Sequence, residues 1–89
     1  MARPPAGHFT ILYFAAVADY AGRDSESLPA PLPLSKLYAS LEEKYPGVQE
    51  KLLGSCLVTV NLEYVDVAAE DGVIREGDEV AVIPPVSSG

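Results

Sequence analysis

The chain has 89 residues, enough for one domain around one modest core and too few for a second. Hydrophobic residues make up 48% of it, too many for intrinsic disorder despite eight prolines and seven glycines. Thirteen acidic against six basic residues give a formal charge of −7, which opposes binding to nucleic-acid phosphates and anionic membrane surfaces and favours proteins with basic patches.

Residues 1–7 read as a short flexible leader containing proline and glycine. The run from Phe9 to Ala16 is rich in β-branched and aromatic residues and nearly continuous in hydrophobicity, which predicts a central strand covered on both faces. Asp19 to Asp24, with Gly22, reads as a turn or short helical bend. Ser25 to Leu28 reads as a second strand antiparallel to the first, followed by a stiff linker with Pro29, Pro31 and Pro33. Leu34, Leu37, Tyr38, Leu41 and Tyr45 recur at helical spacing and predict an α-helix from about Ser35 to Tyr45, N-capped by Ser35 and stopped by Pro46-Gly47. Glu42, Glu43 and Lys44 fall mainly on its solvent side. Val48 to Gly54 allows another helical turn. A third strand is expected over Ser55 to Leu62, then a hairpin or short edge strand over Glu63 to Val67. In the turn Arg75-Glu76-Gly77-Asp78, Gly77 is free to take positive φ and the Asp78 carboxylate to accept turn N–H groups; Glu79 to Ile83 is the last strand. A hairpin, one main helix and further strands over residues 8–83 predict an α+β fold, a β-grasp (ubiquitin-like) roll whose mixed sheet pairs the first and last strands centrally.

Enzymatic constellations are missing from the sequence. His8 is the only histidine, at the end of the leader, and there is no cluster of metal-ligand residues. Cys56, beside Leu57 and Val58, reads as a structural thiol and has no partner for an internal disulfide. The glycines are scattered and none opens a helix as a phosphate loop would, so any ATP is bound by another protein. Adjacent acids such as Glu42-Glu43, Glu70-Asp71 and Asp78-Glu79 read as solvated surface. The N-terminal residues lack the apolar core of a signal peptide, and no apolar run approaches the ~20 residues that cross a bilayer, so a cytoplasmic protein is expected.

Chemistry concentrates instead in an extended tail over residues 84–89. Pro84 and Pro85 cannot donate backbone hydrogen bonds, so the sheet ends there and the chain leaves it extended. Ser87, Ser88 and Gly89 are slim enough to thread a narrow channel, and Gly89 has no Cβ beside its carboxylate to hinder attack.

The stretches Ile11-Leu12-Tyr13-Phe14-Ala15, Tyr45-Pro46-Gly47, Val60-Asn61-Leu62-Glu63-Tyr64-Val65 and above all Gly77-Asp78-Glu79-Val80-Ala81-Val82-Ile83-Pro84-Pro85-Val86 resemble the small, sulfur-carrier subunits of molybdopterin synthase. That family usually ends in two glycines, whereas Ser88 precedes Gly89 here. The resemblance implies that Gly89 is the reactive residue. A ubiquitin-activating-type adenylyltransferase, consuming ATP, would convert it to a transient glycyl-adenylate, and a sulfur donor would then make the thiocarboxylate. It further implies insertion of the tail into the large catalytic subunit of a heterotetramer with two large and two small subunits, where the sulfur builds the dithiolene on cyclic pyranopterin monophosphate. No cofactor would reside on the carrier. Val82, Ile83, Pro84, Pro85, Val86, Ser87 and Ser88 are the expected partner contacts. Two other readings are a carrier for thiamine biosynthesis or tRNA thiolation, and a ubiquitin-like binding module without sulfur chemistry.

Overall fold

A computed structural model describes residues 4–67 and 71–85. Its first unit is a hairpin of β1 (His8–Tyr13) and β2 (Ser25–Pro29), antiparallel with Phe9 opposite Leu28 and Leu12 opposite Ser25. Strand β1 is shorter than its hydrophobic run predicts. Phe14 is still extended, but Ala15 takes a φ of 50° and opens α1 (Ala15–Ala21), an alanine-rich helix closed by Gly22. The bend expected at Asp19 to Asp24 is the end of this helix. Nor is β1 covered on both faces: Phe9, Ile11 and Tyr13 are buried, while His8, Thr10 and Leu12 between them are only half-buried.

The expected leader is attached where it is described. Ala30 N–H donates to the Gly7 carbonyl (2.8 Å), His8 N–H to the Pro5 carbonyl (3.1 Å), and Gly7 N–H to the Glu76 carboxylate. His8 therefore belongs to β1 and not to the leader.

The proline linker contains β3 (Leu32–Pro33), which pairs antiparallel with β6 (Val73–Ile74) in a second, two-stranded sheet. A 3₁₀ turn at Leu34–Lys36 leads into α2 (Leu37–Lys44). The predicted stripe is realised: Leu34, Leu37 and Leu41 are buried, with Tyr38 and Tyr45 packed at their margin. Ser35 is not the N-cap. It lies inside the 3₁₀ turn, and the entry is fixed instead by Leu34 N–H donating to the Gly72 carbonyl (2.9 Å). The helix ends at Lys44, before the expected Pro46-Gly47 stop, and Gly47, at φ 91°, caps the start of the next helix where a Cβ would stand 2.7 Å from the Tyr20 hydroxyl. A short α3 (Val48–Lys51) follows. Glu42 is more than surface charge, since its carboxylate accepts the N–H groups of Gly47 (2.7 Å) and Gln49 (3.0 Å) at the start of α3.

Strands β4 (Leu57–Val60), β5 (Glu63–Val65) and β7 (Glu79–Ile83) complete a five-stranded sheet in the order β2-β1-β7-β4-β5. Strand β7 runs parallel to β1, from Thr10–Glu79 to Tyr13–Val82, and antiparallel to β4 and so sits at the centre. This is the β-grasp arrangement expected. One face of the sheet, with Phe9, Ile11, Val58, Val80 and Val82, forms the core with Val17, Leu37, Leu41, Val48 and Leu53 from the helical segments. Each of these larger side chains contributes roughly 1.5–3 kcal/mol by full burial.

That same face holds a carboxylate. Glu26, opposite Ile11 on β2, has a side chain only 6% exposed. Its Oε2 accepts the hydroxyls of Tyr13 (2.5 Å) and Tyr45 (2.6 Å), whose rings meet edge to face. Its Oε1 lies 3.4 Å from Lys44 Nζ and 3.6 Å from an Arg23 nitrogen. Burial opposes the charge, but the two hydroxyls and Lys44 outweigh it and hold the carboxyl below its ordinary pKa. Burial, then Glu26, push the Tyr13 hydroxyl up. Glu26 thus ties β1, β2 and the end of α2 together. Glu26→Gln should lower unfolding free energy at pH 7 by about 1.5–3 kcal/mol in urea titrations, the scale of hydrogen bonds to a charged group. Because the folded pKa is depressed, the wild-type advantage is full at neutral pH. It should shrink as pH falls through the ordinary carboxylate range toward the folded value.

Candidate functional site

The tail leaves from the middle of the sheet. Ile83, the last residue of β7, pairs with Leu57 at the start of β4, and Tyr13 pairs with Val82 on the other side. Pro84 is then half-buried and Pro85 exposed. Neither has an N–H to continue a ladder, so strand pairing stops at this point for a chemical reason. Of the expected contact residues, Ile83, Pro84 and Pro85 are accessible at this root. Val82 is not: it is fully buried against Tyr13 and Val58, so it holds the core and offers no surface to a partner. Val86, Ser87, Ser88 and Gly89 lie outside the described residues.

Around the root the sheet presents an apolar face opposite the helices. Strand alternation puts Leu12, Ala81, Thr59 and Tyr64 in one row across it, and Ile83 and Leu57 in the next. Phe14, extended and directly after the Tyr13–Val82 pair, continues the same face beside Ile83. Phe14 is 45% exposed, Leu57 54% and Tyr64 70%, which leaves large side chains in water at the edge of a flat surface. Such a cluster marks a docking surface more often than a solvated one. The sequence reading missed Phe14, Leu57 and Tyr64. The usable signal was the period-two spacing of Leu12 and Phe14, out of phase with the core positions Phe9, Ile11 and Tyr13.

The other end of β7 is locked. Between β4 and β5 the tight turn at Asn61 and Leu62 has positive φ at both residues, 51° and 72°. Asn61 N–H donates to the Glu79 carbonyl (2.7 Å), and Asn61 Oδ1 accepts from Glu79 N–H (3.0 Å). Asn61 Nδ2 donates to Asp78 Oδ1 (3.1 Å), while Asp78 Oδ2 accepts Arg75 N–H (2.9 Å) across the turn where Gly77 has φ 84°. Asp78 therefore has the structural role its position predicts.

Cys56 is half-buried next to the tail root, and its thiol donates to the Leu52 carbonyl (3.2 Å). Burial pushes its pKa up, which disfavours the thiolate that nucleophilic chemistry requires. Among the described residues there is no group of three or more His, Cys, Asp or Glu side chains able to hold a metal ion, and no helix is long and apolar enough to cross a membrane.

A β-grasp body whose last strand lies at the centre of the sheet defines the ubiquitin-like class of proteins. Within it, residues 11–89 match the ThiS family, and the chain belongs to that family. It is 60% identical over 89 residues to a molybdopterin synthase sulfur carrier subunit of Pyrenophora tritici-repentis, covering 98% of this chain and 96% of that one. Among solved structures, SAMP1 from Haloferax volcanii superposes with a TM-score of 0.76 at 23% identity, over 93% of this chain and 100% of that one. A chain in the complex of subunits 1 and 2 of the molybdopterin-converting factor from Helicobacter pylori superposes with a TM-score of 0.64 at 26% identity, covering 92% and 99%.

Alkylation of Cys56 by iodoacetamide in the folded protein should follow a pH–rate profile whose midpoint lies above that of the same protein in denaturant. Coincident profiles would show that burial does not restrain the thiol.

Proposed function

We propose that this chain is the sulfur carrier of molybdopterin synthase, with the Gly89 carboxylate as the group that carries the sulfur. The observation that carries the reading is the tail root: a chain exit after Ile83 at the centre of the sheet, beside the exposed Phe14 and Leu57, in a chain 60% identical to a curated carrier. The body docks and the tail delivers.

The chemistry follows from the carboxylate. An unactivated carboxylate is a poor electrophile, so a partner of the ubiquitin-activating type transfers AMP from ATP to Gly89 and releases pyrophosphate. Hydrosulfide, or its equivalent at the sulfide oxidation level, from a donor attacks the acyl carbon, AMP leaves with the C–O bonding pair, and the terminus becomes a thiocarboxylate. This chain lacks a phosphate-binding loop of its own, and the activating enzyme supplies the ATP site. The loaded tail then enters the large subunit, and sulfur passes to cyclic pyranopterin monophosphate as the dithiolene is built. Two sulfurs are required per product, which fits a heterotetramer of two large and two small subunits. The Helicobacter pylori complex of subunits 1 and 2 supports a large-subunit partner.

Geometry sets the demands on the tail. The four residues after Pro85 span at most about 14 Å, so the reacting carbon reaches only a site close to the docking face. Pro84 and Pro85 reduce the conformational freedom lost on threading, which otherwise costs about 1–2 kcal/mol per residue. Ser88 adds a Cβ and a hydroxyl next to the reactive residue, and the channel must accommodate them.

The test is incubation with ATP, a cognate adenylating enzyme and a sulfur donor, followed by mass analysis of the intact chain and its terminal peptide. An oxygen-to-sulfur exchange mapped to Gly89, and its transfer to the pyranopterin with the large subunit, is the expected result. Deleting Gly89 should leave the urea midpoint unchanged and abolish loading. A plain carboxylate at Gly89, with an enzyme active on a related carrier, would overturn the proposal.

A further inference from the structure

We infer that the Asn61–Leu62 turn is a second anchor for the synthase large subunit: Leu62 enters an apolar socket rimmed by lysine or arginine, extending the docking face from the tail root to the far end of the sheet. The inference rests on the reading that the large subunit covers the face of Phe14, Leu57 and Tyr64.

A lone exposed leucine is ordinary on a protein surface, but Leu62 combines features that are not. It is 85% exposed, and it occupies a φ of 72°, where a branched side chain is strained and glycine or asparagine is at ease. It makes no contribution to the core cluster. Both the conformation and the exposure therefore cost the isolated domain stability without a return in packing. The turn is nevertheless rigid, because Asn61 is bonded to Glu79 through its own N–H and its side-chain oxygen, and to Asp78 through its side-chain nitrogen. A knob held on a fixed turn loses little conformational freedom on docking, the property expected of an anchor residue.

Position and charge name the occupant. Leu62 lies in the turn between β4 and β5, two residues before Tyr64; at a φ of 72° it stands outside the strand alternation, at the margin of the face that surrounds the tail root. Glu63 is exposed beside it, and Asp78 and Glu79 are half-buried across the locked turn. A partner reaching over this edge meets an apolar knob next to the exposed Glu63 on a chain of net charge −7, which calls for an apolar socket with a basic rim. A partner that continues beyond Tyr64 along β5 arrives at Leu62 next.

Leu62→Gly separates anchoring from folding, because it removes the side chain and relieves the positive φ together. Leu62→Asn does the same with a second residue that tolerates this conformation. Both full-length variants should melt within about 3 °C of wild type. Each should bind the purified large subunit at least about tenfold more weakly in titration calorimetry, the loss expected of an interface anchor. Glu63→Gln should slow association at low ionic strength, with the difference fading as salt is added. Tyr64→Ala is the control for the docking face. If Tyr64→Ala weakens binding while Leu62→Gly and Leu62→Asn bind like wild type, the anchor is refuted and the docking face stands. If Tyr64→Ala also binds like wild type, the docking face fails and the anchor with it.

Discussion

The double pairing of β7 is the constraint on which the rest of the structure depends. Val80 and Val82 are buried beneath it, β1 runs parallel along one edge, and β4 runs antiparallel along the other. Removing a central strand would expose the core on one face and leave two sets of ladder bonds unmade, so the strand cannot slide or lift without unfolding the domain. The departure point of the tail is consequently as fixed as the core itself. For the proposed carrier role such a rigid base matters, since any play at the root would be added to the position of the carbon that would react.

The two faces of the sheet divide the work. One is occupied by α1, α2, α3, the 3₁₀ turn at Leu34–Lys36 and a second at Leu53–Ser55, and supplies stability. The other is left open, with Phe14, Leu57 and Tyr64 in solvent. The boundary between them is enforced by period-two alternation, so a one-residue register slip in β4 would bury Leu57 and expose Val58. The Asn61, Asp78 and Glu79 bonds oppose that slip by fixing the hairpin turn to the start of β7. Glu26 performs a comparable task at the opposite edge, where its carboxylate fastens β2 to Tyr13, Tyr45 and Lys44.

Much of this was legible in the sequence because it depends on local pattern. The stripe from Leu34 to Tyr45, the hairpin partner at Ser25 to Leu28, the Gly77 turn and the proline stop at Pro84 are set by neighbours a few residues away. What escaped depends on residues distant in the chain. Ala15 and Ala16 read as strand by hydrophobicity, yet the central sheet turns away after Phe14 and the alanines' helix propensity decides. The 3₁₀ start of the main helix follows from Leu34 bonding to Gly72, a partner no local window contains. Nothing in the local sequence singles out Glu26; the fold brings two tyrosines to it. Val82 was misassigned as a partner contact for a related reason: an apolar run near a tail shows what is hydrophobic, but strand parity decides which side chains face the core.

The parallel pairing of β1 with β7 also dictates the order in which the molecule is able to assemble. Strands β1 and β2 are close in sequence, but the inner edge of β1 has no partner until a strand from the far end of the domain arrives. During synthesis and refolding that edge, with Phe9 and Ile11 beside it, stands open while almost all of the intervening chain is made and closed into a loop. Long-range pairing of this kind slows folding and lengthens the exposure of an aggregation-prone edge. The strand that launches the tail is thus also the one that seals the domain, and a chain whose tail root is in place is by construction one whose folding is complete.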